Sequence, residues 1–224
     1  MLIGTLLIFG LLFQEPQTPE PSLLPDTPQA FQKEIEVRKV QELTAPGLEI
    51  WCEDPKLLKK IRGPALAAWK LADELLGPET RSERFPIRVA LLRGKAPFER
   101  WLELLGKESL RLKGPTVDRA YVEASAEFGS AQWYLPPASL IRTDRVSPPE
   151  AVTRVVEDLG ALRMRYAFSP FGLEPPPFLA EGFAGLLVRH TLRNPESLQP
   201  YGGPAPEWVQ GTSVYNLDKT QKDP

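Results

Sequence analysis

Three carboxylates in the C-terminal half of the chain have surroundings that suggest chemistry. Glu157 and Asp158 are adjacent in a segment with helical apolar spacing. On that helix Glu157 and Ala161 fall opposite the core face, and Asp158 falls on the flank. Glu181 is the single charged residue in the apolar run from Phe178 to Val188. These positions predict an acidic helix edge and a further acid on the next helix.

A carboxylate inside an apolar run is costly to bury unless it is paired, protonated or bound to a metal. We therefore expect Glu181 to be buried and to have a cation as its partner. The nearest candidates in sequence are three arginines of the preceding helix, namely Arg154, Arg163 and Arg165.

Glu157, Asp158 and Glu181 offer a metal only oxygen donors. A zinc hydrolase holds its metal with two imidazoles and a third ligand, whereas three hard oxygens suit magnesium or calcium weakly and zinc poorly. His190 is the sole histidine and lies about 13 Å beyond Glu181 along a helix, too far to act as a ligand beside the acid pair. Cys52 is the sole cysteine, so a Cys/His zinc cluster is excluded. We expect no cofactor and no zinc.

Residues 176–184, Pro-Pro-Phe-Leu-Ala-Glu-Gly-Phe-Ala, resemble the P-x-W-L-x-E-G-x-A segment that supplies the third zinc ligand in many gluzincin (MA-like) metallopeptidases. Phe178 stands in the place of the aromatic residue and Glu181 in the place of the ligand. Where that family carries H-E-x-x-H, a little over twenty residues upstream, this chain has the residues 155–162. The resemblance spans roughly residues 48–192, and the Glu-Gly segment is its specific motif.

The lost motif fits the chain in two registers. In the preferred register, Glu157 replaces the first histidine, Asp158 the catalytic glutamate and Ala161 the second histidine. In the other, Val156 and Gly160 replace the histidines, and Glu157 is the acid itself. Both registers lack the two imidazoles. The resemblance therefore implies a degenerate gluzincin domain that has lost its zinc site.

The order of the strand and helix patterns along the chain indicates an α+β fold. The resemblance adds a thermolysin/gluzincin-like architecture, with a mixed β-sheet and the C-terminal helices packed together. Alternation and apolar runs predict strands over 48–52, 87–92, 119–123, 132–135 and 139–142. Helical spacing predicts helices over 54–76, 97–105, 149–168 and 177–192.

Composition divides the chain into four parts. Residues 1–13 have the apolar character and length of a signal-like or anchor segment, and residues 14–29 form a proline-rich linker. A globular domain is expected over 30–200, followed by a polar tail over 201–224. We expect an extracytoplasmic protein that is secreted, periplasmic or membrane-tethered. Contact with a membrane is expected only through residues 2–13, if they are not cleaved.

The distribution of charge along the chain argues against nucleic acids as partners. The 27 basic and 29 acidic residues are mixed along the chain and give a net charge of -2, without a basic stripe that could neutralise phosphates. Nucleic-acid binding is therefore not expected. The 42% hydrophobic content is ample for a core.

Three functions compete on these grounds. The first is a non-catalytic pseudo-peptidase domain that binds a protein or peptide in the relic cleft. The second is a residual hydrolase that uses the acidic cluster with a non-zinc metal or with none. The third is a purely structural or interaction domain. Convergence of Glu157, Asp158 and Glu181 on one cavity would favour the first two, and their divergence would favour the third.

Overall fold

An α+β fold is formed by residues 22–80, 85–168 and 174–192, the part of the chain that this computed structural model describes. The helices are α1 (Pro28–Ile35), α2 (Pro55–Leu76), α3 (Lys95–Arg111), α4 (Arg119–Phe128), α5 (Pro148–Phe168) and α6 (Pro177–Thr191). The strands are β1 (Gln41–Ala45), β2 (Leu48–Cys52), β3 (Ile87–Leu92), β4 (Ser130–Tyr134) and β5 (Pro137–Arg142).

The five strands make one mixed sheet in the order β1-β2-β3-β5-β4. The central strands β2, β3 and β5 are parallel, and the edge strands β1 and β4 are antiparallel to their neighbours. Helices α1, α3 and α4 pack on one face of the sheet, and α2 and α5 pack on the other. Helix α6 packs outside α5 and α2. The mixed sheet and the contact between the two C-terminal helices agree with the predicted α+β class.

Local signals fix the ends of the longest helix, α2. The side chain of Asp54 caps its first turn by accepting hydrogen bonds from the backbone N–H groups of Lys56 and Leu57. Gly77 ends it at a φ of 84°, a conformation that glycine adopts without strain. The helix runs through Pro64, where the sequence suggests a kink. The predicted bounds of this element are therefore confirmed within a residue.

One predicted strand is wrong, because residues 119–123 begin helix α4. Asp118 caps this helix, since its carboxylate accepts a hydrogen bond from the backbone N–H of Tyr121. Gly129 then ends the helix in the left-handed region, at a φ of 87°. Five residues are too few to separate a period of two from a period of 3.6, and the cap decides between them.

The end of the predicted linker packs against the domain. Glu108 of α3 is fully buried and accepts hydrogen bonds from the Ser22 hydroxyl at 3.0 Å and the Leu23 backbone N–H at 3.1 Å. Leu24 is buried in the core, and Thr27 caps α1. The globular part therefore already includes Ser22, earlier than the predicted boundary at residue 30.

The predicted signal-like segment (1–13) and polar tail (201–224) lie outside the described residues. Among the helices of the described part, none has the length and apolar character needed to cross a membrane.

Candidate functional site

A cavity of about 820 Å³ lies beside the edge strand β4, between helices α4, α5 and α6. Glu157, Asp158 and Glu181 all line it. The three carboxylates that stand out in the sequence therefore converge on one cavity, although they come from two different helices.

The close crossing of α5 and α6 brings Glu181 to this place. Gly160 lies at the crossing, where an added Cβ atom would be 2.7 Å from the Cα atom of Ala184. Val156 packs against the buried face of α6. Position 160 thus has no room for a side chain in this structure. Glu157 and Asp158, on the same helix, face the cavity.

Asp158 connects helix α5 to strands β4 and β5 by hydrogen bonds. One carboxylate oxygen accepts a hydrogen bond from the side-chain amide of Gln132 on β4, and the other accepts one from the hydroxyl of Ser139 on β5. The Tyr134 hydroxyl extends this network by donating to the Gln132 amide oxygen at 3.3 Å. Burial raises the pKa of Asp158 to about 6, against the lowering effect of its two hydrogen bonds. Both oxygens of Asp158 are thus already engaged.

Gln132 and Ser139 belong to the site but are not among the residues predicted from the sequence. They lie 26 and 19 positions before Asp158, on two different strands. No local spacing signal connects them to Asp158, and the pairing of β4 with β5 brings them together.

Glu157 is the half-buried carboxyl group that remains available in the cavity. Among the described residues it makes no hydrogen bond or ion pair, because the neighbouring Arg154 is paired with Glu150 at 2.9 Å. Burial, followed by the charge of Asp158, raises the pKa of Glu157 to about 7, while Arg154 lowers it. A group with such a pKa can take up or release a proton near neutral pH.

Glu181 is exposed, so the expectation that it is a buried pairing partner is wrong. Only one face of α6 is buried, and Glu181 lies on the outer side with Phe178, whose exposed fraction is 70%. The apolar run from Phe178 to Val188 contains two glycines and two alanines. Its high apolar content therefore does not mean that all of its positions are buried.

The three candidate arginines have other partners. Arg154 pairs with Glu150, Arg163 pairs with Asp73 at 3.1 Å, and Arg165 stacks on the Tyr134 ring. None of the three forms an ion pair with Glu181 among the described residues.

The remaining candidate positions have no visible part in the site. Ala161 is buried on α5, and His190 is exposed on α6. Within residues 22–80, 85–168 and 174–192, no group of three or more His, Cys, Asp or Glu side chains could hold a metal ion. That the domain lacks zinc stays a prediction, which elemental analysis of the purified chain can test.

Comparison with known proteins found no match to a family model, to a curated protein or to a solved structure. The gluzincin resemblance therefore stays a prediction from the sequence.

Replacing Glu157 with glutamine is expected to stabilise the protein at alkaline pH. The pKa of this carboxyl is raised from 4.5 to about 7 in the folded state, so folding disfavours its ionised form. The resulting cost is absent below about pH 4.5, grows between 4.5 and 7, and is complete above 7. Because solvent screens the group in part, we expect a gain on the order of 1–2 kcal/mol. Melting curves between about pH 4 and pH 8 should show it. Equal melting temperatures at the alkaline end would contradict it.

Replacing Glu181 with glutamine or alanine is expected to leave the free energy of unfolding within about 0.5 kcal/mol of the parent value. The side chain is exposed and makes no hydrogen bond or ion pair among the described residues. Chemical denaturation of both variants measures the effect. A loss above roughly 2 kcal/mol would show that this carboxylate is a buried pairing partner after all.

Proposed function

We propose that this chain is a non-catalytic, gluzincin-like domain that binds an extended peptide or protein segment in the cavity beside β4. The observation that carries the proposal is the convergence of Glu157, Asp158 and Glu181 on that cavity. A relic cleft predicts this convergence, and a chance resemblance does not.

The position of the cavity suits an extended ligand. Four of the five residues of β4, all except Trp133, line it. Because β4 is an edge strand, one row of its backbone groups is not paired within the sheet. An extended peptide can pair with such a row as an additional strand.

Aromatic side chains around the cavity support the same function. Tyr121, Phe128 and Tyr134 line it and are all exposed. Aromatic residues are enriched in protein interfaces, where they contribute large contact areas at a low cost in conformational entropy. These three give a peptide apolar surface to contact.

The chemistry of the same residues argues against zinc hydrolysis. No histidine is among the residues that line the cavity, so the lining offers no imidazole as a metal ligand. Both oxygens of Asp158 already accept hydrogen bonds, from Gln132 and Ser139. A zinc hydrolase needs nitrogen ligands and a carboxylate that is able to take a proton from bound water. We therefore propose binding without cleavage.

The place of action that we propose is outside the cytoplasm, on the basis of the apolar residues 2–13. Fractionation of expressing cells tests this part independently of the cavity. Full-length protein confined to the cytoplasm with Leu2 intact would contradict it.

Affinity selection from a random heptapeptide mixture tests the binding function. The purified chain is compared with Ala124→Trp, which fills the cavity from an exposed position on α4. Ala67→Trp is the matched control, because this residue is exposed on α2 away from the cavity lining. We expect peptides retained by the parent and by Ala67→Trp, and not by Ala124→Trp. Equal retention by all three proteins, or by none, would contradict the proposal.

A metal-independent hydrolase is the second candidate. The observation that favours it is the carboxyl of Glu157, whose pKa is raised to about 7 inside the cavity. Such a group is suited to general acid or base catalysis near neutral pH. Cleavage of the selected peptides in the presence of a chelator, abolished by Glu157→Gln, would favour this candidate over simple binding.

A further inference from the structure

Arg165 is a cation without a carboxylate partner at one end of the cavity. Its guanidinium carbon lies 3.7 Å from the centroid of the Tyr134 ring. Its Nε atom is buried without a hydrogen-bond partner, and the described residues provide neither a hydrogen bond nor an ion pair to the rest of the group. The stacking contact holds the guanidinium in place while its donors remain unused.

Among the described residues, the acids that line the cavity form no ion pair with this cation. Arg154 is paired with Glu150. Asp158 is engaged by its two neutral hydrogen-bond donors on β4 and β5. Glu157 and Glu181 line the same cavity and have no partner among the described residues. An occupant that complements these charges therefore has an anionic group at Arg165 and a cationic group near Glu157.

One wall of the cavity is formed by α4 and β4 and the other by α5, and the chain direction is the same along both walls. Three contacts connect α4 and β4 to α5, and they follow the chain order on both sides. They join Phe128 to Arg154, Gln132 to Asp158, and Tyr134 to Arg165. A peptide lying along β4 would therefore pass both Glu157 and Arg165.

We infer that Arg165 binds a carboxylate group of the peptide that occupies the cavity. A carboxylate matches the planar donors of a guanidinium, and its single charge is easier to accommodate than a phosphate dianion beside Glu157 and Glu181. The inference rests on the proposed peptide-binding function and adds the chemistry of the ligand.

The distance between Glu157 and Arg165 along α5 predicts a second feature of the ligand. Glu157 and Arg165 are a little over two helical turns apart, or about 12 Å. An extended peptide covers that distance in roughly three to four residues at about 3.3 Å each. The ligand thus carries a basic residue three to four positions from its carboxylate. The carboxylate comes from the C-terminus or from an acidic side chain.

Three random heptapeptide mixtures distinguish the two sources. The first has a free C-terminus and no Asp or Glu, the second has a C-terminal amide and one Glu, and the third has a C-terminal amide and no acid. Each is offered to the parent, to Arg165→Gln, to Arg165→Lys and to Arg189→Gln, a control at an exposed arginine of α6 outside the cavity lining. Mass spectrometry measures the retained peptides.

We expect the first or the second mixture to be retained about ten- to a hundredfold better than the third, the range for a charge-assisted hydrogen bond. Whichever mixture is retained identifies the source of the carboxylate. The preference should disappear in Arg165→Gln, recover in part in Arg165→Lys and persist in Arg189→Gln. Enrichment of Lys or Arg three to four positions from the carboxylate should disappear in Glu157→Gln.

Three results would count against the inference in different ways. Equal retention of all three mixtures by the parent, still blocked by Ala124→Trp, would overturn the role of Arg165 and leave peptide binding intact. If the parent retains no mixture, the proposed function fails and the inference fails with it. A preference that survives in Arg165→Gln would overturn the inference by placing the carboxylate at another residue.

Discussion

Replacing Arg163 with methionine is expected to lower the free energy of unfolding by about 3–5 kcal/mol. The Arg163 side chain is fully buried, and its guanidinium bonds to the Asp73 carboxylate and to the Gly77 carbonyl oxygen, each at 3.1 Å. It also lies over the Trp69 ring. Methionine fills similar space and removes the charge, so the loss comes mainly from the contacts of the guanidinium with Asp73 and the Gly77 carbonyl.

Denaturant unfolding of Arg163→Met measures this loss, which corresponds to roughly 2–4 °C in melting temperature per kcal/mol for a domain of this size. Lys70→Met is the control from the same helix as Asp73. Lys70 is 80% exposed in its ion pair with Glu74, so its removal should cost less than about 1 kcal/mol. Similar losses in the two variants would show that the buried pair does not contribute as the structure indicates.

Replacing Gly160 with alanine is expected to destabilise the protein by about 1–3 kcal/mol and to weaken peptide retention. The added Cβ atom would lie 2.7 Å from the Cα and 3.2 Å from the backbone nitrogen of Ala184. Backbone atoms cannot turn away as a side chain can. Helix α6 would therefore have to move away from α5 and displace Glu181 from its place at the cavity.

Gly182→Ala is the matched control, because a Cβ atom at this position on α6 meets nothing within 4 Å. Alanine has the higher helix propensity, so this variant should gain up to about 1 kcal/mol. The two substitutions are chemically identical and should have opposite signs. A stabilising effect of Gly160→Ala would contradict the close crossing of α5 and α6.

Most elements could be predicted because their apolar spacing is long and regular. The strand over 87–92 has the predicted bounds, and α5 and α6 begin and end within one residue of prediction. The segment 119–123 failed because it is short and its cap at Asp118 outweighs its strand-like alternation. Periodicity identifies elements best where it extends over several turns.

The candidate site was predictable in part. The motif positions indicated Glu157, Asp158 and Glu181, and the fold brings all three to one cavity. Their environments depend on contacts that are distant in sequence, such as the bonds from Gln132 and Ser139 to Asp158. The exposure of Glu181 and the stacking of Arg165 likewise depend on how the helices pack, and composition does not show this.

Native mass spectrometry of the purified chain with excess zinc and a selected peptide detects bound metal, bound peptide and cleavage together. It therefore tests whether the chain binds a peptide without binding zinc and without cleaving the peptide. We expect a complex of one chain with one intact peptide, without stoichiometric zinc, and no such complex for Ala124→Trp. One zinc per chain accompanied by fragments of the peptide would contradict it, because a working metallopeptidase site would then exist where the structure offers Glu157, Asp158 and Glu181.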